Sequence, residues 1–307
     1  MKPKTKAGRK DVIENKIEKD KVAGKKAEYN KVRIELGALA TGMFYASQKD
    51  RIEAFNRVRQ VIYRKLEKIG LTDKQEKKDD KEYEEKYTDA KLLKLIEKEL
   101  PKLPKEEQGY IEQILDLLKE ARQKEGKYKE LMRVYIESEP IYDKWLKNVK
   151  GISTINTANL LQYFGYCEKA RHCSSLWKYA GLHVVGGHAP KLSMYGKGKE
   201  VEKLDYNPKL RTLMFRIGDC FVKCRTIPYR NIYDSEKERQ LKLGGWDEKK
   251  KVMKNKDIEG APQSLLHADL RARRKMVKRF LADFYEKSLL LRGVKPDKVY
   301  AHRFDSH

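Results

Sequence analysis

The stretch Asn148–Lys169, NVKGISTINTANLLQYFGYCEK, is written as two helices joined by a tight turn. One helix ends near Val149, Gly151-Ile152-Ser153 turns the chain, and Thr157, Ala158, Leu160 and Leu161 begin a second helix with small residues facing its partner. Glycine lets the backbone turn with positive φ, and Ile152 plugs the two helices together. Unpaired N–H groups at the start of the second helix then point at an anion. Lys147 and Lys150 flank the turn. This is the pattern of a helix-hairpin-helix, a corner that binds phosphate. Ser153 stands where the usual motif has a second glycine and is suited to capping the helix instead. A plain helix corner without a ligand is the alternative reading of the same residues.

Upstream of this corner the pattern is helical and elongated. Residues 1–31 are lysine-rich with little apolar periodicity and read as a flexible basic arm. From residue 32 to 147 the spacing predicts an extended helical region. Leu36, Leu39, Ala40, Met43 and Phe44, then Phe55, Val58, Ile62, Leu66 and Ile69, recur at helical intervals up to Gly70. The polar run at 71–91 reads as a solvated linker. Leu92, Leu93, Leu95 and Ile96 predict a short helix stopped by Pro101 and Pro104. Ile111, Ile114, Leu115, Leu118 and Ala121, continued by Leu131, Val134 and Tyr135, predict a long helix. Its narrow apolar stripe suits a coiled coil and a homo-oligomer formed through this region. No alternating β-branched run predicts a sheet.

Downstream, residues 148–292 read as a compact helical domain with a charged insertion at about 241–262, followed by a tail at 293–307. The last helix opens at Ser264 and His267 and carries Leu270, Met276, Val277, Phe280, Leu281 and Phe284 on one face. Its other face holds Arg271, Arg273, Arg274, Lys275, Lys278 and Arg279 with no acid among them, which reads as a phosphate-contacting surface. The fold class expected is therefore all-α.

Composition agrees with a polyanionic partner. Among 307 residues, 70 Lys and Arg face 46 Asp and Glu, giving a net charge of +24, and 38% of residues are charged. DNA, or a structured RNA, is the partner such a balance implies. An anionic membrane surface is the rival, and no stretch approaches the roughly 20 apolar residues of a membrane span. The basic start lacks the apolar core of a secretory signal, so a cytoplasmic location with free thiols is expected. The four cysteines Cys167, Cys173, Cys220 and Cys224, with His172 among them, have the chemistry of a zinc site, but neither pair has tight ligand spacing. Cys220 falls within the stripe Leu213, Met214, Ile217 and Phe221, as a small buried hydrophobe would. No metal or cofactor is expected.

The order of the remaining segments carries a resemblance. Gly151-Ile152-Ser153 with Ala158-Asn159-Leu160-Leu161 is followed by Ser175-Leu176-Trp177-Lys178-Tyr179-Ala180-Gly181-Leu182, then by Asn207-Pro208-Lys209-Leu210-Arg211, then by the helix Arg271–Tyr285. Over roughly residues 140–290 this resembles the C-terminal domain of the DEDD insertion-sequence transposases, the group related to the pilin-gene invertase. The resemblance implies a DNA recombinase that works with a structured RNA. It also implies an N-terminal RNase-H-like domain holding Mg²⁺ on four acidic residues, and a serine in the C-terminal domain that attacks DNA. The N-terminal half offers no strands to mount such carboxylates, so the nuclease domain is read as absent and the catalytic apparatus as incomplete.

The resemblance places its serine between the Tyr-Ala-Gly-Leu and Asn-Pro segments, where Ser193 is the candidate nucleophile with no base identifiable beside it. The preferred reading of the same loop, with Gly186, Gly187, Gly196 and Gly198 among lysines, is a cationic strap along a nucleic-acid backbone. The residues expected to touch nucleic acid are Lys150, Gly151, Ile152, Ser153, Lys197, Lys199, Arg211, Arg271, Arg274 and Lys278. The function expected is DNA binding by a transposase-like protein. Its alternatives are an active serine-dependent recombinase and a helical scaffold of a phage or mobile element.

Overall fold

A computed structural model describes residues 35–60, 93–94, 96–98, 100–185, 189–190 and 204–296. Helices dominate these residues, as the periodicity predicts. Two compact units divide the chain: Leu39–Met132 is one, and Met1–Ala38 with Arg133–His307 is the other.

In the first unit, helix α1 (residues 35–60) and the long helix α2 (Lys105–Glu137) contribute to one core. That core gathers Phe55, Val58, Ile96, Ile111 and Leu118, with Leu93, Leu100, Leu103, Ile114 and Leu115 packed around it. A short 3₁₀ turn, Leu100–Lys102, carries Pro101, and α2 begins just after Pro104, so the two prolines end one helix and open the next. Arg51 and Gln48 on α1 donate to the Glu125 carboxylate on α2. The apolar stripe of α2 departs from expectation in its second half. Met132, two heptads after Leu118, is fully buried and so is Ile136, whereas Leu131 and Val134 are exposed. Leu131 and Val134 lie off the register that Ile111 and Leu118 establish, so the helix turns them outward. Residues 1–34, 61–92 and 297–307, where the basic arm, the polar linker and the tail are expected, lie outside the described residues.

The second unit is built around one helix. After α3 (Pro140–Lys144) and a 3₁₀ turn (Leu146–Asn148) come α4 (Thr154–Phe164), α5 (Cys173–Tyr179), α6 (Pro208–Cys224) and α7 (Tyr229–Gly244). A two-stranded antiparallel ribbon, β1 (Trp246–Asp247) and β2 (Val252–Met253), leads to α8 (Leu265–Leu291). The α8 helix packs against α3, α5, α6 and α7. Its Phe280 lies against Trp145, Phe221 and Tyr229 with ring centroids 5.2–5.8 Å apart, and Phe284 meets Phe164 at 6.0 Å. Ala268, Ala272, Met276, Phe280, Leu281, Ala282 and Phe284 of α8 are all 0% exposed. A helix expected to show one apolar face is thus nearly surrounded, because the aromatic residues of four other elements converge on it.

Residues 241–262, expected as a charged insertion or loop, form ordered structure. α7 runs to Gly244, Gly245 ends it in the left-handed region, and Met253 of the ribbon folds back, buried, onto Gly244. No helix among the described residues is long and apolar enough to cross a membrane.

Candidate nucleic-acid interface

The turn and the cap of the following helix take the form their residues predict. Gly151 has φ +89°, Ile152 is buried, and the Ser153 hydroxyl accepts the Asn156 backbone N–H at 3.3 Å as N-cap of α4. The Asn156 amide in turn donates to the Gly151 carbonyl, and the Lys150 carbonyl accepts the Thr226 hydroxyl at 2.7 Å. The helix before the turn is only a 3₁₀ turn. Gly151 also packs against Cys220 of α6, so the corner is braced from a third element. Lys150 and Ser153 are exposed, while Lys147 is held by Asp143 at 2.6 Å. The α4 N-terminus is therefore open to solvent, with one unpaired lysine beside it.

The Tyr-Ala-Gly-Leu and Asn-Pro segments meet in space. Leu182 and Gly181 donate their backbone N–H groups to the Trp177 and Lys178 carbonyls, closing α5 through Gly181 at φ +66°. The Asn207 backbone N–H then donates to the Tyr179 carbonyl at 2.8 Å, and the Asn207 amide donates to the Tyr179 hydroxyl. The Asn207 carbonyl oxygen of the side chain caps α6, with Pro208 at its first turn. Tyr206 lies so close over Gly181 that a Cβ there would stand 2.8 Å from its ring. Beside this clasp His183 Nε2 lies 3.2 Å from an Asp205 carboxylate oxygen.

The basic residues of α8 divide into two groups. Arg273 is bound by Asp269 at 2.6 Å and Asp219 at 3.1 Å, Lys275 by Glu236 at 2.9 Å, and Arg279 by Asp283 at 3.1 Å. These three cations are neutralised within the fold, which corrects the expectation that the whole run faces phosphate. The acids that neutralise them flank the run on α8, each one turn from its partner, or lie on α6 and α7. Arg271, Arg274 and Lys278 have no carboxylate bond among the described residues. Arg271 donates to His267, to the Gln240 side chain and to the Gly260 carbonyl. Lys278 rests over the Trp177 ring at 5.3 Å, while the Trp177 indole N–H donates to the Lys278 carbonyl. Arg274 makes no hydrogen bond or ion pair with the described residues.

Arg271 and Arg274 line a cleft of about 550 Å³ together with Arg211 and Arg273. Arg211 reaches it from α6, with its guanidinium over the Tyr206 ring and donating to the Pro190 carbonyl. Gly181 and Ala189 form part of the wall, and Met214, Phe215, Leu266, Leu270 and Val277 supply apolar surface. No carboxylate lines the cleft among the described residues. Burial, and then the neighbouring Arg211 and Arg271, hold the Arg274 guanidinium below its usual pKa; burial and then Arg274 do the same to the Lys278 ammonium. Such a field is relieved by an anion.

Of the expected contact residues, the structure therefore brings Arg211, Arg271 and Arg274 into one cleft, with Lys278 one turn beyond Arg274. Lys150, Gly151, Ile152 and Ser153 sit elsewhere. Cys220, which braces the hairpin, is about 13 Å along α6 from Arg211 and roughly half a turn around it. The hairpin and the cleft are two separate basic features on opposite faces of α6. Ser193, Lys197 and Lys199 lie outside the described residues. Phe215, Gln263, Leu266 and His267 line the cleft without having been expected there. Phe215 was within reach of sequence reasoning, since it stands one turn after Arg211 on the same helix face.

The cysteines have a structural account. Cys167 and Cys173 are buried, and burial pushes both thiols up to about 12. Among the described residues no three His, Cys, Asp or Glu side chains are grouped to hold a metal ion. The chain matches no protein-family model, no curated protein and no solved structure.

Proposed function

We propose that this protein binds nucleic acid, in the manner of a transposase-like DNA-binding protein without a nuclease domain, and that the arginine cleft between α6 and α8 is its principal phosphate site. One observation carries the reading: Arg211, Arg271 and Arg274 line a single concave surface without a carboxylate bond among the described residues, and Arg274 is half-buried with no hydrogen-bond or ion-pair partner among them. A folded chain gains nothing from such an arrangement on its own, and an oligoanion compensates it. The exposed Lys150 and the open start of α4 provide a second, weaker contact on another face, and the net charge of +24 draws the polymer in.

The test is direct binding of DNA and RNA to the purified chain at near-physiological salt. Arg274→Gln is expected to weaken binding about tenfold, the scale of one lost charge-assisted phosphate contact. Lys275→Ala, on the same helix but paired with Glu236, is expected to bind as the parent does. Equal loss in both variants, or in neither, counts against the cleft.

A second reading has one observation in its favour. Ala189 lines the cleft and Pro190 accepts from Arg211 at its edge, and Ser193 follows three residues on. A serine three positions along the chain from a residue that binds a cleft arginine suits a recombinase that becomes covalently joined to DNA. That reading requires a protein–DNA adduct that persists in denaturant and disappears in Ser193→Ala.

A further inference from the structure

We infer that the cleft receives one unpaired nucleotide of a nucleic-acid strand, its phosphate between Arg274 and Arg211 and its base against Phe215. This rests on the nucleic-acid reading above and specifies the polymer's form.

Three features point to it. The first is depth. Arg274 is half-buried within the concavity, so a phosphate must enter the cleft to reach it. A duplex backbone is stiff over many turns and presents its phosphates on a convex surface, whereas a single strand can fold one phosphate inward. The second is size: about 550 Å³ lies within the range of sites that enclose one small organic molecule.

The third is the aromatic wall. Phe215 is 55% exposed although it lines the cleft beside the arginines, and the Arg273 guanidinium lies 5.8 Å from its ring centroid. Arg273 is itself fixed by Asp269 and Asp219, so the ring is steadied by a cation that has no other freedom. A steadied, exposed ring next to phosphate-binding arginines is what a splayed base stacks upon, and bases within a duplex have no free face to offer. Gln263 at the rim carries an exposed amide able both to donate to and to accept from a base edge.

The experiment compares three fluorescent probes of one sequence, about fifteen nucleotides long: single-stranded DNA, single-stranded RNA and duplex DNA. The full chain is titrated at fixed salt and binding is read by anisotropy. At least one single strand is expected to bind about tenfold or more tightly than the duplex. Phe215→Ala is expected to lose about tenfold of the single-strand affinity and none of the duplex affinity, while Phe215→Tyr retains both. Because Phe215 is exposed, unchanged circular dichroism and melting of the variants are expected and are to be verified. Single-strand binding untouched by Phe215→Ala, or a duplex bound as tightly as the strands, overturns the inference while leaving nucleic-acid binding in place. Absence of binding to all three probes overturns both.

Discussion

At Arg274 a guanidinium is half-buried beside Arg211 and Arg271 with no carboxylate among the described residues to balance it, and burial lowers its pKa. Replacing it with an uncharged side chain of similar length removes that repulsion while keeping the packing of its stem. Arg274→Met is therefore expected to raise stability by about 1 kcal/mol, some 2–4 °C in melting temperature, while it weakens nucleic-acid binding. Calorimetry and a binding titration on one preparation check both halves. The glycines allow a second comparison. Gly151 and Gly181 both have positive φ, but a Cβ on Gly151 would meet Cys220 at an ordinary 3.4 Å, whereas one on Gly181 would stand 2.8 Å from Tyr206. Gly151→Ala is expected to cost about 1 kcal/mol from backbone strain alone, and Gly181→Ala visibly more, as urea unfolding would report. Gly151 was legible in the sequence because turn geometry is local, whereas Gly181 entered only as part of the Tyr-Ala-Gly-Leu segment. The isolation of Arg274 was not legible, since it depends on which helices deliver acids to which side of α8.

The same distinction holds for whole elements. Asp269 and Asp283 stand one turn from Arg273 and Arg279 on α8, so those two pairs were open to reading from spacing alone. The Lys275–Glu236 bond joins α8 to α7 and had no local signature. Nor did the ribbon at Trp246–Met253, whose two-residue strands are too short to show a period. Helix α7 supplies the clearest pH effect. Glu236 is 4% exposed; burial raises its pKa, but hydrogen bonds from Arg239, Gln240 and Lys275 outweigh burial and hold the carboxyl at about 2, against an ordinary 4.5. A carboxyl whose pKa is depressed by folding stabilises the fold above its unfolded value and loses that contribution as pH falls toward the folded one. The stability it supplies, at most on the order of 3 kcal/mol, is thus present above pH 4.5 and lost between 4.5 and about 2. Glu236→Gln is expected to melt lower than the parent at pH 7, with the gap closing across that window.

For the molecule as a whole, the all-helical class followed directly from periodicity, and so did the unpaired cations' residue types. Their convergence from α6 and α8 into one cleft did not, because the 59 residues between Arg211 and Arg271 say nothing about how the helices pack. With a net charge of +24, binding is expected to fall steeply as salt rises, and Arg274→Gln is expected to reduce the slope of log affinity against log salt by about one. A slope unaffected by that variant would place the contact elsewhere. The clasp between Tyr179 and Asn207 has a consequence of a different kind. Because one backbone hydrogen bond pins the exit of α5 to the entry of α6, the number of residues joining Pro190 to Leu204 is expected to matter little to how the two helices pack. That interval is then expected to act as a cassette, open to lengthening or shortening while the helices keep their places, so that what is done at the cleft can change without rebuilding the fold that holds it.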